Sequence, residues 1–312
     1  MIDDPTPKED PSLVLADGSP LPPDAGEILT ERSIERAQED ERFIPVIVKR
    51  TDEARRHPDD ILSFAIEEGL EQLDRPLLSL ALSSVAAGLI LGFTAMAVAV
   101  VTTVAAPLPW AGIERLATAL VYPFGFVVCI MSGTELFTEH TATAVYPVLD
   151  RKATVGRLLR LWLTVGAGNL LGAAASAGLL TVADEVVHAR EGYLEIGRHL
   201  VAFHSLPLFV SAVLAGWLMA LGAWLILATP PTMSQMAAIY VVTFLIGLGG
   251  LHHSIAGSVE MFIAYLIGDE FTAGESIRFI AWALVGNLVG GSCFVAVLNY
   301  GHIRRSRVAE KI

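Results

Sequence analysis

The chain has 312 residues, 53% of them hydrophobic and 17% charged, with a net charge of −12. Residues 1–75 hold 9 Lys/Arg against 20 Asp/Glu, so almost all of that charge lies in the first segment and the other 237 residues are nearly balanced. Cys129 and Cys293, the only cysteines, lie in apolar runs and exclude a disulfide framework or a cysteine metal site, and an acidic balance without a basic stripe excludes nucleic-acid binding.

The first 58 residues read as an acidic, largely disordered tail. Residues 1–25 are rich in Pro, Asp and Gly and have almost nothing to bury, whereas EILTERSIERAQEDER, from Glu27 to Arg42, predicts a short polar helix. MIDDPTPKEDPS has no basic stretch followed by an apolar one, so no cleaved signal peptide is expected and the tail is expected to be cytoplasmic. Residues 59–75 predict an amphipathic helix with acidic groups in the first turn and a stripe of Ile61, Leu62, Ala65, Ile66, Leu70 and Leu73. Such a stripe suits the membrane surface or a neighbouring subunit.

Residues 76–303 form the membrane domain. Beyond Arg75 the intervals free of Lys, Arg, Asp and Glu are 76–113, 116–134, 161–183, 199–259 and 279–303. A bilayer core of about 30 Å needs roughly 20 apolar residues per helix. Six spans fit: Leu77 to Val104, Leu116 to Leu149, Leu158 to Val182, Leu206 to Ala228, Met236 to Ile267 and Phe279 to Ile303. With the N-terminus inside, the inner loops and the basic C-terminus, 304–312, carry 8 Lys/Arg against 4 in the outer loops. The positive-inside rule then predicts a multi-pass protein of the cytoplasmic or inner membrane with both termini cytoplasmic.

The second and fifth spans are too long for single crossings, and each contains a glycine break, Ser132-Gly133 and Gly249-Gly250, followed by polar groups. They predict broken helices. The third and sixth spans carry the matching strings GNLLGA (168–173) and GNLVGG (286–291). Glu135 precedes Asn169 by 34 residues and His252 precedes Asn287 by 35. The recurrence predicts two repeats, about 76–182 and 206–303, of three spans each and therefore inverted, the arrangement of a substrate pathway between repeats. The expected fold is all-α, with six spans, an aquaporin-like inverted repeat and two broken helices.

Chemistry concentrates at the breaks. The first contributes Glu135, Thr138, Glu139 and His140, and the second His252, His253, Ser254 and, further on, Glu260. A charge at membrane depth is costly unless it faces protein or water. Glu135 and His252, at equivalent places and joined by Asn169 and Asn287, are expected to support the breaks by accepting from exposed backbone amides. His253 has no polar counterpart, since its repeat mate is Leu136. An imidazole there can pack, donate to a passing anion or hand it a proton. Metal binding by the adjacent histidines is not expected, because helix neighbours point about 100° apart and no third ligand is evident. No nucleotide, zinc-hydrolase or serine-hydrolase signature occurs, so the protein is not expected to be an enzyme and no cofactor is expected.

GTELFTEHT, GLHHSIAGSVEMF and the two GN strings resemble the formate/nitrite transporter family over about residues 70–303. The resemblance implies a pentamer with one pore per subunit, passing small monovalent anions such as formate, nitrite or hydrosulfide. It places Leu136, Phe137 and Thr138 in a mobile loop within the second span, His253 at the pore centre, Phe126 at the inner constriction, and Tyr122 and Ile246 at the outer one. The family's lysine and asparagine near that histidine fall, by ungapped counting, on Val201 and Trp217. This departure removes a fixed charge and adds bulk, leaving Arg198, His199 or His204 to restore the attraction. The expected partners are a small anion or weak acid, the lipid bilayer and four further copies of the chain. A pore for neutral solutes such as water, ammonia or an uncharged acid is the alternative, and a membrane-embedded sensor worked by the acidic tail is a third reading.

Overall fold

The computed structural model describes residues 56–107 and 111–309. The expectations for the disordered tail and for the helix from Glu27 to Arg42 lie outside the described residues. Helix α1, Pro58–Asp74, starts with proline at its first position, His57 Nδ1 accepting from the Asp59 amide at 3.3 Å, and Asp59 and Asp60 in the first turn. Its stripe of Ile61, Leu62, Ala65, Ile66 and Leu73 is buried while Glu67, Glu68 and Glu71 are exposed. The sequence leads one to expect that stripe against the membrane surface or a neighbouring subunit. It packs on this chain's own segment 143–149, so closely that a Cβ on Gly69 would lie 2.8 Å from the Pro147 side chain.

The long helices follow in order. They are α2 Leu77–Ile90 and α3 Gly92–Ala105, α4 Ala111–Val121 and α5 Pro123–Met131, the short α6 Phe137–His140 and α7 Tyr146–Leu149, α8 Val155–Val187, α9 Arg190–Val201, α10 Ser205–Ala228, α11 Thr232–Gly249, α12 Ser254–Ile267, α13 Ala273–Gly291 and α14 Leu298–Ala309. A π-helical turn at Ser292–Val297 joins the last two. Every regular element among the described residues is helical.

Among the described residues, six stretches are long and apolar enough to cross a membrane: Leu77–Ala105, Gly112–Met131, Val155–Val187, Ser205–Ala228, Thr232–Gly249 and Ala273–Arg304. The second and fifth stop at Met131 and Gly249, short of the Leu149 and Ile267 ends expected from hydropathy, because hydropathy does not register where helical hydrogen bonding ceases. Leu163, Leu179, Val182 and Val186 along α8 are exposed, as a lipid-facing helix requires. The stretch left between the third and fourth expected spans, 183–205, contains α9. Its Gly192, Leu194, Gly197 and Leu200 pack inward while Arg190, Glu191 and Arg198 face out.

Two close helix pairs form the body. Gly168 of α8 meets Ser84 of α2, where an added Cβ would lie 2.6 Å from the serine Cβ, and Gly286 of α13 meets Ala212 of α10 in the same way at 2.5 Å. Gly172 against the Val85 carbonyl and Gly290 against the Val213 carbonyl repeat the match one turn on. Without Cβ atoms these backbones touch directly. Gly172→Leu should therefore push α2 from α8 and cost about 1–3 kcal/mol, read as a lowered melting temperature in detergent, whereas Gly178→Leu, at a site open around its Cβ position, should not.

Candidate functional site

Two interruptions face each other in the fold, and both are held by the same bonds. At the first, α5 ends at Met131, Gly133 takes φ +66°, and helix resumes at Phe137. Asn169 Oδ1 accepts from the Phe137 amide at 2.8 Å, while its Nδ2 donates to the Ser84 and Glu135 carbonyls, each at 2.8 Å. Ser83 Oγ accepts from the Glu135 amide at 3.2 Å. At the second, α11 ends at Gly249, Gly250 takes φ +60°, and helix resumes at Ser254. Asn287 Oδ1 accepts from the Ser254 amide at 2.8 Å, and its Nδ2 donates to the Ala212 and His252 carbonyls at 2.8 and 3.1 Å. Ser211 Oγ accepts from the His252 amide at 3.2 Å. Both asparagines are fully buried, where an amide is tolerated only if bonded.

Side chains at the breaks behave differently from the expectation. Glu135 accepts from no break amide; its carboxylate pairs with Arg75, just after α1, and with His140. His252 likewise caps nothing. Its Nδ1 lies 2.7 Å from Ser211 Oγ, and its ring stacks parallel to His199 with centroids 5.5 Å apart. The orphan amides go to the two asparagines, to Ser83 and Ser211, and to His253. Gln72 of α1 reaches the same first break, bonding His140 Nδ1 at 2.8 Å and accepting from Thr143 Oγ1 at 3.1 Å.

His253 is the N-cap of α12. Its Nδ1 accepts from the Ile255 and Ala256 amides, each at 3.2 Å, so the ring proton sits on Nε2 and is donated to Thr138 Oγ1 at 3.1 Å. The ring is 1% exposed and lies edge-on to Phe126 at 4.9 Å, and Phe126 in turn packs on Tyr122 at 5.2 Å. Leu136 and Phe137 are buried in the same core.

A cavity of about 590 Å³ runs from the α9 face to His253, lined by Tyr122, His199, Ile246, His252, His253 and Glu260 among others. Val201 and Trp217 do not line it. The Val201 carbonyl accepts from Arg278 Nη2 at 2.9 Å, and Trp217 stacks on Phe294 at 5.0 Å. Of the candidates to replace the missing charge, Arg198 is engaged elsewhere. It donates to Glu270 at 2.8 and 3.0 Å and to Glu195 at 3.0 Å; these bonds hold the guanidinium protonated and keep the Glu270 carboxyl below the usual range. His199 is the one that reaches the cavity. Sequence reasoning missed Ser83 and Ser211, whose equal placement relative to Gly88 and Gly216 was the available signal, and it left Glu260 without a site.

Residues 59–301 match the family model described as formate/nitrite transporter. The chain is 31% identical over 243 residues to the inner membrane protein YfdC of Escherichia coli K12, covering 76% of each chain. It is 26% identical over 207 residues to a probable formate transporter of Methanothermobacter thermautotrophicus, covering 61% of this chain and 76% of that one, and 23% identical over 247 residues to the formate channel FocA of E. coli K12, covering 78% and 84%. Among solved structures, an FNT family ion channel superposes with a TM-score of 0.70 at 20% identity, covering 78% of this chain and 99% of that one. A pentameric formate channel with formate bound gives 0.61 at 20% identity, covering 72% and 96%.

Proposed function

The chain belongs to the formate/nitrite transporter family, and from that membership we propose that it is a pore for small monovalent anions or their conjugate acids, with His253 at its centre. The observation that carries this reading is the fixed tautomer of His253. Two backbone amides occupy Nδ1, so the one proton the ring can offer, on Nε2, points at Thr138 where the cavity ends. A permeant that displaces the threonine oxygen accepts that hydrogen bond. The start of α12 adds positive potential at the same level. Phe126, Leu136, Tyr122 and Ile246 are apolar walls that strip hydration, so a neutral acid crosses them more cheaply than its anion. Leu136, Phe137 and Thr138, following the first break, form the segment that moves to open the path.

Each subunit holds a complete pathway between its repeats, so the proposed homopentamer serves stability rather than pore formation. The FNT-like fold and the pentameric relative support that assembly, and the 8-to-4 distribution of basic residues supports cytoplasmic termini. Proteoliposomes given formate, nitrite, hydrosulfide, acetate and water at two pH values test the reading. Saturable flux of one of the acids is expected; water permeation without any acid flux would favour the pore for neutral solutes. A complex mass in mild detergent equal to one or two chains would refute the pentamer.

A further inference from the structure

We propose that the cavity above His253 is a binding site in its own right, holding one small oxyacid between His252 as hydrogen-bond donor and the Glu260 carboxyl as partner for the ligand's exchangeable proton. The proposal rests on the pore reading and adds the groups that choose what enters. His252 is 3% exposed and its Nε2 has no partner among the described residues. Ser211 Oγ accepts from the His252 amide; with its own proton directed at His252 Nδ1, the tautomer on which the proposal stands, the ring carries its proton on Nε2. A buried N–H without an acceptor is costly, and here it belongs to a residue lining an open cavity. Glu260 is 6% exposed, lines the same cavity, and makes no hydrogen bond or ion pair among the described residues.

Those two groups impose a chemical requirement. A carboxylate on the wall repels an anion that can take no proton. An oxyacid anion such as formate binds with one proton taken from solvent, held between its oxygen and Glu260, while its second oxygen accepts from His252 Nε2. Charge and protons balance: one anion and one proton enter, and the site's net charge is unchanged. The other titratable groups around the cavity are Glu114, Arg115 and Tyr122 from one side, Glu195 and His199 from α9, and His253 below. Arg198 already neutralises Glu195 in part, and Glu260 is the most buried of the three carboxylates that line the cavity.

Isothermal titration calorimetry on the full chain in nanodiscs, with sodium formate in two buffers of different ionisation enthalpy, reads the proton count directly. Wild type, titrated at alkaline pH where Glu260 is ionised, is expected to take up close to one proton per formate and to prefer formate over sodium nitrate. Glu260→Gln should abolish the uptake and the preference, while Glu260→Asp, which keeps the exchangeable proton, retains both. His252→Phe should weaken formate about tenfold, the loss of one hydrogen bond to a charged group, without changing the proton count. Uptake that persists in Glu260→Gln, or affinity unchanged in His252→Phe, would overturn the proposal, as would formate flux through wild type without measurable binding. Absence of both flux and binding in wild type would instead overturn the pore reading on which it stands. Unaltered complex mass in each variant identifies it as folded, and Glu260→Asp carries the test should Glu260→Gln fail to assemble.

Discussion

His253→Asn is expected to lower formate flux in proteoliposomes about ten- to a hundredfold, the cost of one hydrogen bond to a charged permeant, while leaving the protein folded. The two effects separate because His253 does two things with two nitrogens. Asparagine is a strong N-cap, and its side-chain oxygen can replace Nδ1 as acceptor for the Ile255 and Ala256 amides. It is too short to replace Nε2, which reaches Thr138 from the far side of the ring. His253→Ala removes both functions, so it should match the asparagine variant in flux and in addition lose about 1–2 kcal/mol of stability. Stopped-flow flux and thermal melting on both variants check the pair. Since Nδ1 is occupied by amides, the ring acts as a neutral donor and the loss should be of similar size at every pH. A pH profile reshaped by His253→Asn would show that the ring surrenders its proton.

Asn287→Leu should be among the most destabilising single substitutions in the chain, and Asn169→Leu should equal it. Each asparagine meets three backbone groups at its break: Ser254 N, Ala212 O and His252 O in one case, Phe137 N, Ser84 O and Glu135 O in the other. Leucine fills the volume but leaves the amide and the carbonyl at the break, Ser254 N and His252 O or Phe137 N and Glu135 O, without partners at about 1–3 kcal/mol for each, and removes a second bond from the helical Ala212 or Ser84 carbonyl. Loss of the folded oligomer on size exclusion, or a fall in melting temperature on the order of 10 °C or more, is expected for both. Asn287→Asp tests the donor half alone. It keeps an acceptor for Ser254 N but sets a carboxylate against two carbonyls, so it should be nearly as damaging as leucine. A fully stable Asn287→Asp protein would mean that the amide bonds to Ala212 and His252 carry little weight.

The amino-acid sequence by itself determined the all-helical class, the six apolar stretches and the family. Lipid offers no hydrogen bonds, so a spanning helix must write its length as an uncharged run such as 279–303. The GN strings were legible for a related reason. Close backbone contact admits only glycine and a small neighbour, and it leaves the same mark in both halves, at Gly168 and Gly286.

Which partner each polar side chain takes was decided only in three dimensions. Glu135 and His252 occupy equivalent positions, yet one finds Arg75 and its near neighbour His140 and the other Ser211 and His199, because Arg75, Ser211 and His199 arrive from segments far away in the chain. Counting without gaps put Val201 and Trp217 near the central histidine. The turn of α9 across the cavity mouth sends His199 there instead, while packing rotates Trp217 onto Phe294. Glu260 and the covered face of α1 follow the same rule. Hydropathy records that a residue must be shielded from lipid, but the rotation of its helix, set by distant contacts, decides whether protein or an open cavity does the shielding.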